Sequence, residues 1–231
     1  MNDPSNVRVQ YAREDNLRAR QNLYEEREGS DPFTVLWDVL TKIAPHRTLE
    51  AGGGTGELAE RMRDELGADV SFVDLSSRMV ELAHERGIDA QVADVQALPF
   101  ADESFDTAVA AWMLYHVPDI DRGIAELARV LVPGGRLVAV TNSELHLREL
   151  RDLVAYPAGL LPFSRENGEE FLGRHFSVVE RLDADGVVTV RDRAKLVAYR
   201  ESLTVKTEPV PEDVELPLFV HCASSIFIAL K

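Results

Sequence analysis

Between Thr48 and Thr141 the chain alternates short apolar runs with amphipathic stretches, and this rhythm limits the fold more than any other feature. Strands are expected at Thr48 to Ala51, Val70 to Val73, Ala90 to Ala93, Phe105 to Trp112 and Arg136 to Thr141. Helices are expected between them. Leu58 and Met62 mark one, Met79, Leu82 and Ala83 a second, and Ile120, Ile124, Leu127, Ala128 and Leu131 a third, at a period near 3.6. Strand and helix in alternation predict a parallel sheet covered on both faces. Upstream, Asp31 is placed to cap a helix and Pro32 to open it. Phe33, Leu36, Trp37, Leu40 and Ile43 follow at spacings of three and four, and Pro45 ends the run.

The outer parts are less regular. Met1 to Glu28 is polar, with sparse apolar positions at Val7, Tyr11, Leu17 and Tyr24, and is expected as one or two helices lying over the body. After Thr141, helices are expected at Leu145 to Val154, at Glu166 to Leu172 with Ser164 as its cap, and at Arg193 to Leu203. Strands are expected at Phe176 to Leu182, Val187 to Val190 and Ser224 to Leu230. Tyr156, Leu160, Leu161 and Phe163 form an apolar run broken by prolines, which must pack against the body or a ligand.

The chemistry concentrates at strand ends. Glu50-Ala51-Gly52-Gly53-Gly54-Thr55-Gly56 makes a strand-to-helix turn whose glycines let backbone approach a ligand beside a helix N-terminus. Asp74 ends the second strand, where a carboxylate can accept from both ribose hydroxyls. Asp94 follows the third strand and can accept from an adenine amino group. Pro133-Gly134-Gly135 is expected as the turn into the fifth strand. A nicotinamide site would use G-x-G-x-x-G, but the position of its third glycine is Glu57.

The strings "TLEAGGGTG", "VSFVDLSSRMVELA", "VADVQALPFADESFD", "MLYHVPD" and "ARVLVPGGRLV" resemble the class I S-adenosylmethionine-dependent methyltransferases, in particular the group that includes the ubiquinone and menaquinone methyltransferases. The resemblance implies an α/β, Rossmann-like, doubly wound, mostly parallel seven-stranded sheet with helices on both faces. It is accompanied by an expected N-terminal helical lid (1–30) on a methyltransferase domain (31–231) with an insert at about 142–175. It implies S-adenosyl-L-methionine as cofactor. Glu50 and the turn of Gly52, Gly54 and Gly56 would hold its methionine part, Asp74 the ribose, and Asp94 with Val95 the adenine. Leu75 and Met79 would flank the ring, and Ala111 would offer a carbonyl near the sulfonium. The family often has Cys or Ser where Gly53 stands and Asp or Gly at Ala51, both conservative departures.

Two residues are candidates for catalysis. His116 can take a proton from an attacking hydroxyl or amine, or simply steady its loop by bonding backbone. Tyr11 can close over the methyl group, or merely pack. Trp112 is expected as core or cofactor wall. His221 and Cys222 are neighbours on a strand and face opposite sides, so they form no dyad. The histidines lack metal-ligand spacing, so no metal is expected.

Composition narrows the partners. A net charge of −15 disfavours phosphate backbones and anionic membranes. One cysteine excludes an internal disulfide and fits a reducing compartment. With no secretory signal at the N-terminus and no apolar run of bilayer length, a cytoplasmic protein is expected. The favoured activity is methyl transfer to a small, partly hydrophobic molecule. Transfer to protein or tRNA, and cofactor binding without catalysis, are the alternatives. The acceptor and the oligomeric state are not encoded in any recognisable motif.

Overall fold

A computed structural model describes residues 20, 22–157, 161–203 and 205–231. Tyr11 and Leu160, and the expected N-terminal helices as far as residue 19, lie outside the described residues. In chain order the elements are β1 (Arg27–Gly29), α1 (Pro32–Ile43), β2 (Arg47–Ala51), α2 (Glu57–Leu66), β3 (Asp69–Asp74), α3 (Ser77–Glu85), β4 (Asp89–Val92) and β5 (Phe105–Ala111). They continue as α4 (Ile120–Val130), β6 (Leu131–Asn142), α5 (Arg148–Leu153), α6 (Gly168–Leu172), β7 (Val178–Val190), α7 (Arg193–Glu201) and β8 (Leu218–Leu230).

The strands form one sheet in the order β1-β7-β8-β6-β5-β2-β3-β4. From β6 to β4 every pairing is parallel, while β6–β8, β8–β7 and β7–β1 are antiparallel. The architecture is therefore α/β and Rossmann-like, but the sheet is mixed and eight-stranded rather than a mostly parallel set of seven. The extra strand comes from Arg27–Gly29, residues expected within the helical lid, which pair with Val188, Val187 and Gly186 of β7.

Alternation along the central strands builds the two layers. Ala108, Ala110, Leu137 and Ala139 face α4 and α6, packing with Ile124, Leu127 and Leu172. Val109, Val138 and Val140 face the other way, toward Leu36 and Leu40 of α1, Met62 of α2 and Val80 of α3. Both faces of these strands are buried, which is why they read as unbroken apolar runs. Asp31 caps α1 as expected, its carboxylate accepting from Thr34 N at 3.0 Å. His221 is exposed and Cys222 buried, on opposite faces of β8.

Three local expectations are corrected. The two strands expected at Phe176 to Leu182 and Val187 to Val190 are one thirteen-residue strand, β7. Gly186 does not break it. Glycine is needed there because a Cβ would meet Glu28 O and the Arg27 guanidinium across the β1 contact. Ser164 does not cap α6, which begins at Gly168 after Asn167; the Ser164 hydroxyl accepts from Glu166 N, and Asn167 Oδ1 accepts from Ser164 N. Pro133-Gly134-Gly135 lies inside β6, where the pairing with β5 shifts register between Phe105 and Thr107.

Candidate cofactor and acceptor site

The strand order changes direction between β2 and β5: β3 and β4 lie to one side, β6 to the other. Ligands in open α/β sheets bind at such a point, beyond the carboxyl ends of the strands. A cavity of about 740 Å³ opens there.

The glycine turn leaves β2 at the mouth of this cavity. Gly52 N–H donates to Val73 O at 2.7 Å, tying the turn to β3. Gly52, Gly54 and Gly56 have φ of 67°, 61° and 77°, where side chains are strained. Their surroundings differ. A Cβ on Gly54 would meet nothing within 4 Å, so the backbone there is open to a ligand. Gly56 does not line the cavity; its missing side chain lets α2 approach Ala83 of α3. At Gly53 a Cβ would collide with the Glu50 carboxyl group and the Phe72 ring. This tight fit beneath the turn was not foreseen, since nothing local in the sequence ranks Gly53 apart from its neighbours.

Glu50 ends β2 almost fully buried. It accepts from the Ala59 amide in the first turn of α2, but its Oε2 has no hydrogen-bond partner among the described residues. Burial, with a smaller contribution from the Asp74 charge, raises its pKa to about 8. Asp74 accepts from Ser76 N at 2.8 Å and from the amides of Gly54 and Leu75. Burial outweighs these bonds and lifts its pKa to about 6. Asp94 accepts from Gln96 N and Nε2 at 2.9 and 3.0 Å. Glu50, Asp74 and Asp94 line the cavity together with Leu75, Val95 and Ala111. Met79 does not, and is buried at the start of α3.

Beyond β5 the wall is Trp112, Met113, Tyr115 and His116. Trp112 has φ of 52°, unusual for a bulky residue and characteristic of functional positions. Its indole N–H donates to Asn142 Oδ1 at 3.2 Å, and its ring lies 4.5 Å from that of Phe33. His116 sits in a short turn, its ring 4.5 Å from Tyr115; burial, and next the Arg20 charge, lower its pKa to about 4. The apolar run splits: Tyr156 and Leu161 line the cavity, whereas Phe163 is core, packed edge-on against Phe227.

The far end of the cavity adds Arg20, Tyr24, Arg27, His146, Arg151 and Tyr199. Arg20, Tyr24 and Arg27 belong to the stretch expected as the lid, and His146 and Arg151 to the expected insert, but none of the six stands in a motif of its own. They come from three separate stretches of the chain and meet only in the folded structure.

A Rossmann-like sheet with a glycine turn and three carboxylates at its switch point is the arrangement that the resemblance to the class I methyltransferases leads one to expect. Residues 49–139 match the family model described as "Methyltransferase domain". Over 160 residues the chain is 32% identical to "Methyltransferase GfsG" of Streptomyces halstedii, covering 65% of this chain and 56% of that one. Over 123 residues it is 33% identical to "Ubiquinone/menaquinone biosynthesis C-methyltransferase UbiE" of Brucella anthropi, covering 49% and 47%. The chain spans about half the length of these curated relatives. The fold matches that of the YcgJ protein from Bacillus subtilis, with a TM-score of 0.61 and 19% identity, over 86% of this chain and 98% of that one. The match over residues 49–139 and the curated methyltransferase relatives support a class I, S-adenosylmethionine-dependent methyltransferase domain with S-adenosylmethionine as the cofactor.

The residues present fit that cofactor. Its ammonium and sulfonium are cationic and suit an end lined by Glu50, Asp74 and Asp94. The buried, unpartnered Glu50 Oε2 and the open backbone at Gly54 are a polar group and a cradle awaiting a ligand.

Proposed function

We propose that the protein transfers a methyl group to a small, partly apolar molecule held in the far end of the same cavity. The observation that carries this is continuity: one cavity is lined both by the residues expected to hold the cofactor and by Trp112, Tyr156 and Leu161. When bound, S-adenosylmethionine would supply an activated methyl group to an electron pair of a carbon, nitrogen or oxygen acceptor, with sulfur keeping the pair of the broken carbon–sulfur bond as S-adenosylhomocysteine.

The chain's contribution is to position and to exclude water. Glu50 and the turn of Gly52 and Gly54 hold the methionine part, Asp74 the ribose, Asp94 and Val95 the adenine, with Leu75 against the ring. Gly56 and Met79 act indirectly, by setting how α2 and α3 pack. His116, neutral at pH 7, can take a proton from the acceptor, but a base of such low pKa suits an acceptor that needs little help. Residues 31–231 form the methyltransferase domain, with the insert at about 142–175 over the acceptor. The N-terminal stretch is its lid, ending before β1 rather than at residue 30. Its described part brings Arg20 and Tyr24 to the cavity.

The relatives named for quinone biosynthesis favour a small acceptor, and the net charge disfavours tRNA. The test is incubation with methyl-labelled cofactor and a metabolite extract, followed by ultrafiltration. Label in the low-mass fraction is expected. Label retained on protein or RNA, or no transfer despite cofactor binding, would refute the proposal.

A further inference from the structure

The cavity lining carries both signs of charge. Glu50, Asp74 and Asp94 stand with the glycine turn, whereas Arg20, Arg27 and Arg151 gather around Tyr24 and Tyr156, on a chain whose net charge is −15; of the other lining carboxylates, Glu25 is paired with Lys195 and Asp31 caps α1. Two of these arginines have no carboxylate partner among the described residues. Arg27 Nη2 donates to Ser30 O at 2.5 Å and to Ala184 O at 3.5 Å, and its buried Nε has no acceptor. Arg151 Nη1 donates to Glu144 O at 2.8 Å, and its guanidinium lies 5.2 Å from the Tyr156 ring centre. Carbonyl oxygens fix these half-buried side chains without neutralising them, and an anion entering the cavity would accept charge-assisted hydrogen bonds from both guanidinium groups.

A neutral donor stands beside them. Ala223 N–H donates to His146 Nδ1 at 3.1 Å, so the proton of the neutral imidazole resides on Nε2. Nε2 lies 2.9 Å from Tyr24 Oη and donates to it, which leaves the Tyr24 hydroxyl proton free to be given to a ligand. Burial keeps both groups in these states: His146 has its pKa lowered to about 3, and Tyr24 is raised well above 10. Both side chains line the cavity, and the hydroxyl can donate but not act as base.

We propose that this end is the acceptor subsite and that the acceptor carries an anionic oxygen, a carboxylate on an apolar body, recognised by Arg27, Arg151 and the Tyr24 hydroxyl. The inference rests on the methyltransferase reading and names the chemistry of its second substrate. Tyr156, Leu161 and Leu203 supply the apolar wall.

The test uses the full chain saturated with S-adenosylhomocysteine and a matched pair of probes, 2-naphthoate and 2-naphthamide, titrated by calorimetry at pH 7.5 and low salt. A preference for the acid of about tenfold or more is expected, the worth of one charge-assisted bond. Arg151→Gln and Tyr24→Phe should each reduce that preference several-fold and leave the affinity for S-adenosylhomocysteine unchanged. Equal affinity for the two probes, binding of neither, or an undiminished preference in both variants would overturn the anionic subsite. The first titration separates the two ideas. If S-adenosylhomocysteine itself fails to bind, the methyltransferase reading falls; if it binds and the acid is not preferred, only the subsite does.

Discussion

Replacing Glu50 by glutamine should make the free protein more stable than the native chain at alkaline pH. Glu50 is 1% exposed, has one oxygen without a partner, and holds its proton up to a pKa of about 8 against an ordinary value of 4.5. Between those values the folded chain keeps a proton that the unfolded chain has lost. The unfolded state then binds fewer protons, so the free energy of unfolding falls as pH rises. At about 1.4 kcal/mol for each tenfold change in proton affinity, the interval from 4.5 to about 8 corresponds to a cost of about 5 kcal/mol above pH 8 and none below 4.5. That figure is an upper bound, because the surroundings relax around a buried charge. Glutamine keeps the shape and an acceptor for the Ala59 amide but cannot ionise.

Urea denaturation of both proteins from pH 5 to pH 9 measures the difference directly. The gap in favour of Glu50→Gln should widen with pH and level off above about 8. Parallel curves, or a variant that loses ground at alkaline pH, would refute the argument from burial. Cofactor binding should move the opposite way. Ionised Glu50 complements an ammonium, so the native chain should bind S-adenosylhomocysteine more tightly between pH 6 and pH 8. The variant should be weaker and lack this part of the pH dependence.

Asp74→Ala should weaken S-adenosylhomocysteine binding by roughly 1.5–3 kcal/mol in calorimetry, because it removes a charged acceptor. In the native chain that contribution should fade as pH drops below about 6, where Asp74 takes up a proton. Gly54→Ala should cost only about 1 kcal/mol of stability in a thermal melt, from the strain at φ 61°, yet abolish cofactor binding, because its methyl occupies the open cradle. Gly53→Ala should do the reverse in emphasis, lowering the melting temperature more, because its methyl meets the Glu50 carboxyl group and the Phe72 ring. Cys222 is buried with its pKa raised to about 11, so it should react with a thiol reagent at pH 8 only on denaturation; rapid labelling of the native chain would contradict this.

The parallel half of the sheet was legible because its signals are local. A strand, a glycine turn and a helix fall within one stretch from Arg47 to Leu66, and Asp74 follows its strand directly. Periodicity located α4 and the buried strands for the same reason. Side-chain direction was less legible. Met79 and Leu75 are close in sequence, but only Leu75 reaches the cavity, while Met79 is buried in the first turn of α3. Glycine proved ambiguous: Gly186 reads as a breaker and is instead the point where β1 crosses close to β7. The strained Trp112 has no sequence signal, because the partner holding it, Asn142, is 30 residues away on another strand.

The two ends of the cavity differ in how they are specified. The cofactor end is a set of short strand-to-loop transitions, each carrying its own polar group, so it can be copied between chains as a string of motifs. The far end is assembled across the antiparallel addition. Tyr24 and His146 are 122 positions apart, and His146 is aligned by an amide of β8, Ala223 N–H. Arg27 is set by the strand β1, whose pairing depends on Gly186 of β7. Such a site changes when packing among β1, β7, β8 and α5 changes, while Glu50, Asp74 and Asp94 stay in place. The family model accordingly spans residues 49–139 and leaves out Arg20, Tyr24, Arg27, His146, Arg151 and Tyr156 on either side of it. Recognition of the cofactor thus follows from motif, and the acceptor must be inferred from the charges and donors that the fold brings together.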